Sequence, residues 1–222
     1  MDKPIIAIDG FAATGKSTLA KRLSKHLGLP YLDSGAFFRG ITFLAIEKGW
    51  ITDKKIDEKS IEEGINDVKI NFDSLSNTLT LNKRDITNQI RTKIVSSNVS
   101  QIAKLPFVRS FLLKQQRLMS ASHGLVIDGR DIGTAVFPEA DFKFFFTAKL
   151  RVRALRRWKE MEANGYLLTY NEALKNILDR DKIDTERKIS PLKKANDAIE
   201  IDSTDLSLQQ VFELCITKIN GK

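Results

Sequence analysis

The chain has 222 residues, of which 42% are hydrophobic, and it carries a formal net charge of +8. This length allows one α/β core with a small inserted lobe. No apolar run approaches the roughly 20 residues that a membrane-spanning helix needs, and we expect no signal peptide because the N-terminus enters an apolar segment at once. The single cysteine, Cys215, excludes an intrachain disulfide and predicts a reducing compartment, the cytoplasm. With only His26 and His123, a zinc site is not expected.

The positive charge fits either a nucleic-acid surface or a closed site that holds several phosphates. Its distribution favours the second class. Basic residues stand out in segments 151–159 and 180–194, where they alternate with acidic residues at helical spacing. They form neither a basic tail nor a patch beside aromatic side chains on which bases could stack. Part of this charge is also explained by helix faces that simply point to water.

The first element is an apolar strand that breaks into a glycine-bounded loop and then opens a helix, IIAIDGFAATGKST over residues 5–18. Its pattern Gly10-x-x-x-x-Gly15-Lys16-Ser17 is the Walker A motif. The glycines let the backbone turn and approach a ligand closely, and the loop amides and the helix dipole then form an anion hole. Lys16 is expected to meet the β- and γ-phosphates, and Ser17 to ligate Mg²⁺. The simpler alternative is an ordinary glycine turn at a helix end.

Segment 29–33 predicts a second strand, which is entered by proline at its start, with Ser34 and Gly35 as turn and cap and a helix to about Lys48. Alternation in residues 68–72 and 79–81 around a turn at Ser76 and Asn77 predicts a β-hairpin, and we expect residues 56–89 to form an inserted lobe on the rim.

The remaining elements are predicted as a series of helices and short strands. Helices are expected over residues 91–104 and 107–122, around 155–161 and 174–178 with a break at Asn164 and Gly165, and over 207–219; strands are expected over 125–128, 142–147 and 198–202. Segment 142–147, FKFFFT, is apolar on both faces, as central parallel strands are. The whole pattern predicts an α/β fold with a parallel sheet of about five strands between helices.

Four further segments are more specific than the Walker A motif. They are YLDSGAFFR at 31–39, the run 90–109 with IRT, SQ and VR, DGRDIGTAVFP at 128–138, and RDKIDTERKISPL at 180–192. Together they resemble the bacterial cytidylate kinases over nearly the whole chain. Two departures are visible: Phe11, Ala12 and Ala13 stand where the family commonly has Pro-Ser-Gly, and Phe38 stands where tyrosine is frequent.

The resemblance implies a P-loop NTPase fold in one nucleoside monophosphate kinase domain, with a core (1–35, 105–155 and 195–222), a β-containing monophosphate-binding region (36–104) and a helical lid (157–188). It implies transfer of the γ-phosphoryl group from ATP·Mg²⁺ to CMP or dCMP, for pyrimidine nucleotide metabolism. The small-molecule partners would be ATP, CMP and dCMP. We expect a monomer without nucleic-acid or membrane partners.

The resemblance also implies roles for individual side chains. The ATP site would contain Gly10, Ala12, Ala13, Thr14, Gly15, Lys16, Ser17, Thr18 and Arg157. The CMP site would contain Asp33, Ser34, Gly35, Arg39, Ser100, Arg109, Arg130, Asp131, Arg180, Asp184 and Arg187. The catalytic charges would be Lys16, Arg130, Arg180 and Arg187. Asp128 would approach Mg²⁺ through a water.

Plainer readings remain open for several of these residues. Arg130 would otherwise form a surface ion pair, Asp128 a helix cap or turn, and Arg180 and Arg187 exposed helix charges. For the whole chain, the alternatives are a P-loop kinase for another small acceptor, or a nucleic-acid-binding module with steeply salt-dependent affinity.

Overall fold

A computed structural model describes residues 3–52, 55–73, 76–119 and 124–221. Within these ranges the strands in chain order are β1 (Ile5–Gly10), β2 (Tyr31–Asp33), β3 (Ile51–Thr52), β4 (Lys55–Ile56), β5 (Ile70–Asp73), β6 (Thr78–Leu81), β7 (Arg84–Asp85), β8 (Leu125–Asp128), β9 (Phe142–Thr147) and β10 (Ile199–Asp202). The α-helices are α1 (Lys16–Leu27), α2 (Ser34–Glu47), α3 (Glu58–Ile65), α4 (Lys93–Ile102), α5 (Pro106–Leu118), α6 (Leu150–Ala163), α7 (Tyr170–Glu186) and α8 (Leu208–Asn220).

The central sheet has five parallel strands in the order β10-β9-β1-β8-β2, which confirms the predicted fold class. Because side chains alternate along a strand, Ile6 and Ile8 of β1 pack on one face while Ala7 packs on the other. Strand β2 lies at one edge of the sheet. Strand β9 lies inside the sheet, as predicted, and its one charged side chain, the buried Lys143, pairs with Asp197 at 2.6 Å.

Helices cover both faces of this sheet. On one face α1 and α8 contribute Leu19, Leu23 and Val211 to a core that includes the β9 phenylalanines. On the other face α2 and α5 contribute Phe37 and Leu112. The sheet is therefore buried on both sides, and its carboxyl edge is the place where the loops between strands and helices meet.

The helix ends follow local chemistry, with one correction. Gly28 ends α1 at φ +64°, as a glycine cap does. We expected Ser34 and Gly35 to be turn and cap, but both lie in the first turn of α2. The cap is Asp33, whose carboxylate accepts a 3.0 Å hydrogen bond from the Ala36 amide.

The predicted hairpin is confirmed as β5 and β6, and further elements that the sequence pattern did not indicate lie around it. Strand β7 adds a third strand to it, and the β3–β4 pair and α3 precede it. The insert shares the core of α2, where the Gly40 Cα is so close to the hairpin that an added Cβ would lie 3.1 Å from Leu79. Residues 53–54, and residues 120–122 of the predicted helix together with His123, lie outside the described residues.

None of the helices in the described ranges is both long enough and apolar enough to span a membrane.

Candidate active site

The Walker A loop has the backbone that its glycines predict. Gly15 has φ +91° immediately before α1. Gly10 has φ +143° and lies against β9, where an added Cβ would be 2.1 Å from the carbonyl oxygen of Phe146. Ala13 also has a positive φ, +58°, although it is not a glycine. The loop is thus tightly wrapped at the carboxyl end of β1, with one residue in a conformation that costs an L-amino acid energy.

Lys16 is buried and folds back over this loop. Its Nζ donates hydrogen bonds to the Phe11 carbonyl at 2.5 Å and to Thr14 Oγ1 at 3.3 Å. Burial and the neighbouring Arg130 lower the pKa of Lys16 well below its ordinary value, although Asp128 acts in the opposite direction. The ammonium group is therefore held in place before any phosphate arrives.

Ser17 and Asp128 meet at the end of β8. Ser17 Oγ donates to Asp128 Oδ2 at 2.7 Å, and the buried Tyr31 hydroxyl donates to Asp128 Oδ1 at 2.7 Å. Burial and the nearby Asp33 raise the pKa of Asp128. A hydroxyl beside a carboxylate with raised pKa is an oxygen-only donor set that suits a hard divalent cation such as Mg²⁺.

The start of α2 forms the lip beside this group. Arg39 pairs with Asp33 at 2.6 Å, and Ser34 Oγ donates to the backbone carbonyl of Asp128 at 2.7 Å. Burial alone would raise the pKa of Asp33, but Arg39 lowers it below its ordinary value. The Arg39 guanidinium is thereby fixed at the mouth of the site.

Arg130 and Arg180 are two half-buried cations, and only Arg130 has a carboxylate partner in the described ranges. Arg130 Nε donates to Asp184 Oδ2 at 2.8 Å, and although burial lowers the pKa of Arg130, Asp184 raises it above its usual value. Arg180 forms no ion pair with any residue in the described ranges, and its buried Nε has no hydrogen-bond partner there. Burial and Arg130 lower the pKa of Arg180 to about 10, so it stays charged at neutral pH.

Asp131 lies between two arginines from other elements. Arg109 of α5 bonds Asp131 Oδ2, and Arg187 bonds Oδ1 at 3.1 Å. All three side chains are buried, and so is Ser100 of α4. Arg187 is not the exposed helix charge of the simpler reading, because it follows α7 and turns inward.

These groups surround one cavity of about 700 Å³. Most of the residues expected in the site line it: Ala12, Ala13, Thr14, Gly15, Lys16, Ser17, Thr18, Asp33, Ser34, Gly35, Arg39, Ser100, Asp128, Arg130, Asp131, Arg157, Arg180, Asp184 and Arg187. Gly10 and Arg109 lie behind the wall, where Gly10 shapes the loop and Arg109 supports Asp131. The structure thus brings together residues as distant in the sequence as Ala12 and Arg187, which are 175 positions apart.

Sequence reasoning missed three side chains. Tyr31 holds Asp128, and the exposed Arg91 adds a cation to the cavity wall. Asp9 is buried and accepts 2.8 Å hydrogen bonds from the amides of Ile132 and Gly133, which start a π-helical turn, Ile132–Val136. The available signal was a lone carboxylate in an otherwise apolar strand, since a buried charge of this kind needs a partner.

A P-loop at the carboxyl edge of a parallel sheet, facing an arginine-lined cavity, defines the class of P-loop kinases. The chain belongs to the cytidylate kinase family, whose model, described as cytidylate kinase, matches residues 6–221.

Relatives named cytidylate kinase match over nearly their full length. The one from Flavobacterium psychrophilum is 44% identical, with 100% of both chains covered. The one from Bacteroides thetaiotaomicron is 45% identical, covering 96% of this chain and 95% of its own. The one from Clostridioides difficile is 40% identical, covering 99% and 100%.

Solved structures show a similar fold at low sequence identity. An uncharacterized protein from Eubacterium ventriosum has a TM-score of 0.54 at 14% identity, with 100% of both chains covered. A gluconokinase from Sinorhizobium meliloti has a TM-score of 0.51 at 11% identity, covering 100% of this chain and 94% of its own.

Proposed function

We propose that the chain transfers the γ-phosphoryl group of ATP to CMP and dCMP, giving ADP and CDP or dCDP. The observation that carries this proposal is the single cavity in which the P-loop faces Arg130, Arg180 and Arg187. The reaction brings the phosphates of ATP and CMP close together in line, and cations on both sides of the cavity offset the repulsion between these two polyanions. Family membership supports CMP as the acceptor.

The chemistry needs positioning more than acid–base catalysis. The attacking atom would be an oxygen of the CMP phosphate, which is already anionic, so no general base is required. Lys16 would hold the β- and γ-phosphates, and Arg130, Arg180 and Arg187 would stabilise the charge on the transferred group. Lys16, Arg130 and Arg187 would act strongly because hydrogen bonds and ion pairs hold them in place before the substrates arrive.

Mg²⁺ would be held by Ser17, with Asp128 acting through a water. The cation would draw charge from the phosphate oxygens of ATP when it is bound. Tyr31 would keep the Asp128 carboxylate directed towards it, because the 2.7 Å hydrogen bond occupies the other oxygen.

Asp131 and Ser100 would read the cytosine base, with Arg109 behind them. Cytosine presents an exocyclic amine where uracil presents a carbonyl oxygen, so a carboxylate attracts one and repels the other. Arg39, Arg130 and Arg187 would hold the CMP phosphate beside the lip formed by Asp33, Ser34 and Gly35. Arg180 and Asp184 would hold the ribose.

We further propose that segment 36–104 binds the monophosphate and that segment 157–188 is a lid, which carries Arg157 to ATP and excludes water from the phosphates. We propose a cytoplasmic monomer. Light scattering after size-exclusion chromatography tests the oligomeric state, and a mass near 50 kDa instead of 25.1 kDa would contradict it.

The central experiment measures ADP release with ATP, Mg²⁺ and, separately, CMP, dCMP, UMP and AMP. We expect fast turnover with CMP and dCMP and slow turnover with UMP. Equal rates with CMP and UMP would agree with kinase activity but would reject the recognition of cytosine by Asp131 and Ser100. ADP release that is absent, or that does not depend on the acceptor, would reject CMP as the acceptor.

Lys16→Ala should abolish turnover without unfolding the chain, because the cation that meets the phosphates is lost. Lys25→Ala is the matched control, since Lys25 is an exposed lysine on the same helix. Turnover like that of the wild type in folded Lys16→Ala would refute the P-loop assignment.

A further inference from the structure

Arg153 is a buried cation of α6 that does not line the cavity. Its guanidinium group makes three hydrogen bonds to three different parts of the chain. Nε donates to the Ala148 carbonyl at 2.9 Å, and Nη1 donates to the Ala12 carbonyl at 3.4 Å and to Asp181 Oδ2 at 2.5 Å. One side chain thus joins the P-loop to helix α7.

The same guanidinium group also packs on the P-loop from outside. Its central carbon lies 5.1 Å from the centre of the Phe11 ring, within the range of a cation–π contact. On its other side Phe11 meets Phe145 of the sheet edge-on, with ring centres 6.1 Å apart. The first residue of the loop is therefore held between the sheet and Arg153.

The other end of this connection lies beside residues of the cavity. Asp181 follows Arg180 in α7 and precedes Asp184 by three positions, and both Arg180 and Asp184 line the cavity while Asp181 does not. Only 8% of the Arg153 side chain and 13% of the Asp181 side chain are exposed. Removing one partner of an ion pair this buried costs the protein much stability, so the pair connects α7 to α6 and, through Arg153, to the P-loop.

We propose that Arg153 is a positioning residue that holds α7 in register with the P-loop, so that Arg180 and Asp184 face a nucleotide bound on the loop. Arg153 touches no substrate in this proposal. It acts on one side through Phe11 and the Ala12 carbonyl, and on the other side through Asp181. The inference deepens the proposed phosphoryl transfer and rests on it.

The test uses Asp181→Asn, Arg153→Met and the double variant in the full chain. We expect kcat with saturating ATP and CMP to fall by about 10- to 100-fold in each single variant, since small misplacements of catalytic groups have effects of this size. The KM for ATP should change by less than about threefold, because the loop amides and Lys16 remain. The double variant should be no slower than Arg153→Met, since both changes break the same connection.

Arg84→Met is a control for the type of contact. Arg84 pairs with Glu47 at 2.6 Å, and its guanidinium carbon lies 5.6 Å from the centre of the Phe43 ring, so it repeats the ion pair and the ring contact of Arg153 at an exposed site outside the cavity. We expect its kcat to equal that of the wild type. Arg153→Lys should regain part of the lost kcat, because lysine keeps the charge towards Asp181 but lacks the planar fork that also reaches Ala12.

The outcomes separate this inference from the proposed function. A wild-type chain without CMP-dependent ADP release overturns the proposed function. An active wild type with folded Asp181→Asn at unchanged kcat overturns the role of Arg153, even if Arg153→Met fails to fold. If Asp181→Asn and Arg153→Met lower only the melting temperature, Arg153 is a structural residue and the proposal is overturned. The same holds if Arg84→Met lowers kcat as much as they do.

Discussion

Asp131→Asn is the most informative single change in the cavity, because Asp131 is expected to serve stability and base selectivity together. In the structure its two oxygens bond Arg109 and Arg187, and all three side chains are buried. The amide of asparagine removes the negative charge and leaves the two guanidinium groups facing each other. Breaking a buried ion pair in this way costs about 3–5 kcal/mol. For a chain of this size, we expect a melting temperature lower by about 10 °C.

The selectivity effect follows from the remaining lone pairs of the carboxylate, which are free to accept from the exocyclic amine of cytosine. A hydrogen bond to a charged group contributes about 1.5–3 kcal/mol. We therefore expect kcat/KM for CMP to fall by about 10- to 100-fold, while kcat/KM for UMP is unchanged or rises, since the repulsion of its carbonyl oxygen is relieved. The assay compares ADP release with CMP and with UMP, well below the melting temperature of the variant.

A matched control separates the two effects. Asp197→Asn removes the carboxylate that pairs with buried Lys143, outside the cavity. It should lower the melting temperature and leave the ratio of CMP to UMP activity unchanged. If folded Asp131→Asn also keeps the ratio of the wild type, Asp131 does not read the base. If its melting temperature is unchanged, the energetic reasoning on the ion pairs is wrong.

Two further predictions concern stability. Ala13→Gly should raise the melting temperature by about 2 °C. The change removes the cost of a left-handed alanine, about 1–2 kcal/mol, and loses about 0.5–1 kcal/mol because glycine is more flexible in the unfolded chain. An equal or lower melting temperature would contradict this. Burial raises the pKa of Asp9 to about 7, although its two hydrogen bonds from backbone amides act in the opposite direction. The folded state then holds a proton that the unfolded state releases near pH 4, so wild-type stability should fall relative to Asp9→Asn by about 1.4 kcal/mol per pH unit between about pH 4 and 7. Urea unfolding of both proteins at pH 5, 6 and 7 measures this difference. If the free energy of unfolding changes with pH equally in both proteins, the prediction is refuted.

The fold could be predicted from the sequence because its signals are local. Alternating or continuous apolar residues define the five strands of the sheet, and the predicted break at Asn164 and Gly165 marks the end of α6 within a residue or two. The three short strands β3, β4 and β7 were missed, since two-residue strands carry no period. The cap of α2 was assigned one position late because Asp33 both ends a strand and starts a helix.

The composition of the cavity could be predicted, but its partnerships could not. The Walker A loop and the family segments name most of the lining residues, and the segments at 10–18, 31–39 and 128–138 lie where β1, β2 and β8 end at the carboxyl edge of the sheet. Which carboxylate meets which arginine depends on the packing of α5, α6 and α7, which brings Arg109, Asp131 and Arg187 together from three distant segments. Asp9 and Arg153 were missed for a similar reason, because their partners lie in distant segments: backbone amides for Asp9, and two carbonyls, the Phe11 ring and Asp181 for Arg153.

Among the four arginines proposed to hold CMP, Arg180 differs from the other three. Arg39, Arg130 and Arg187 each have a carboxylate partner, so their orientation is fixed before a ligand binds and little entropy is lost when a phosphate arrives. Arg180 has no such partner among the described residues, although Asp184 acts on its charge from nearby. A phosphate entering the cavity can meet this guanidinium group without displacing a bonded carboxylate. Since α7 carries Arg180 next to Asp181, the contacts of Arg153 connect the position of this arginine to the P-loop.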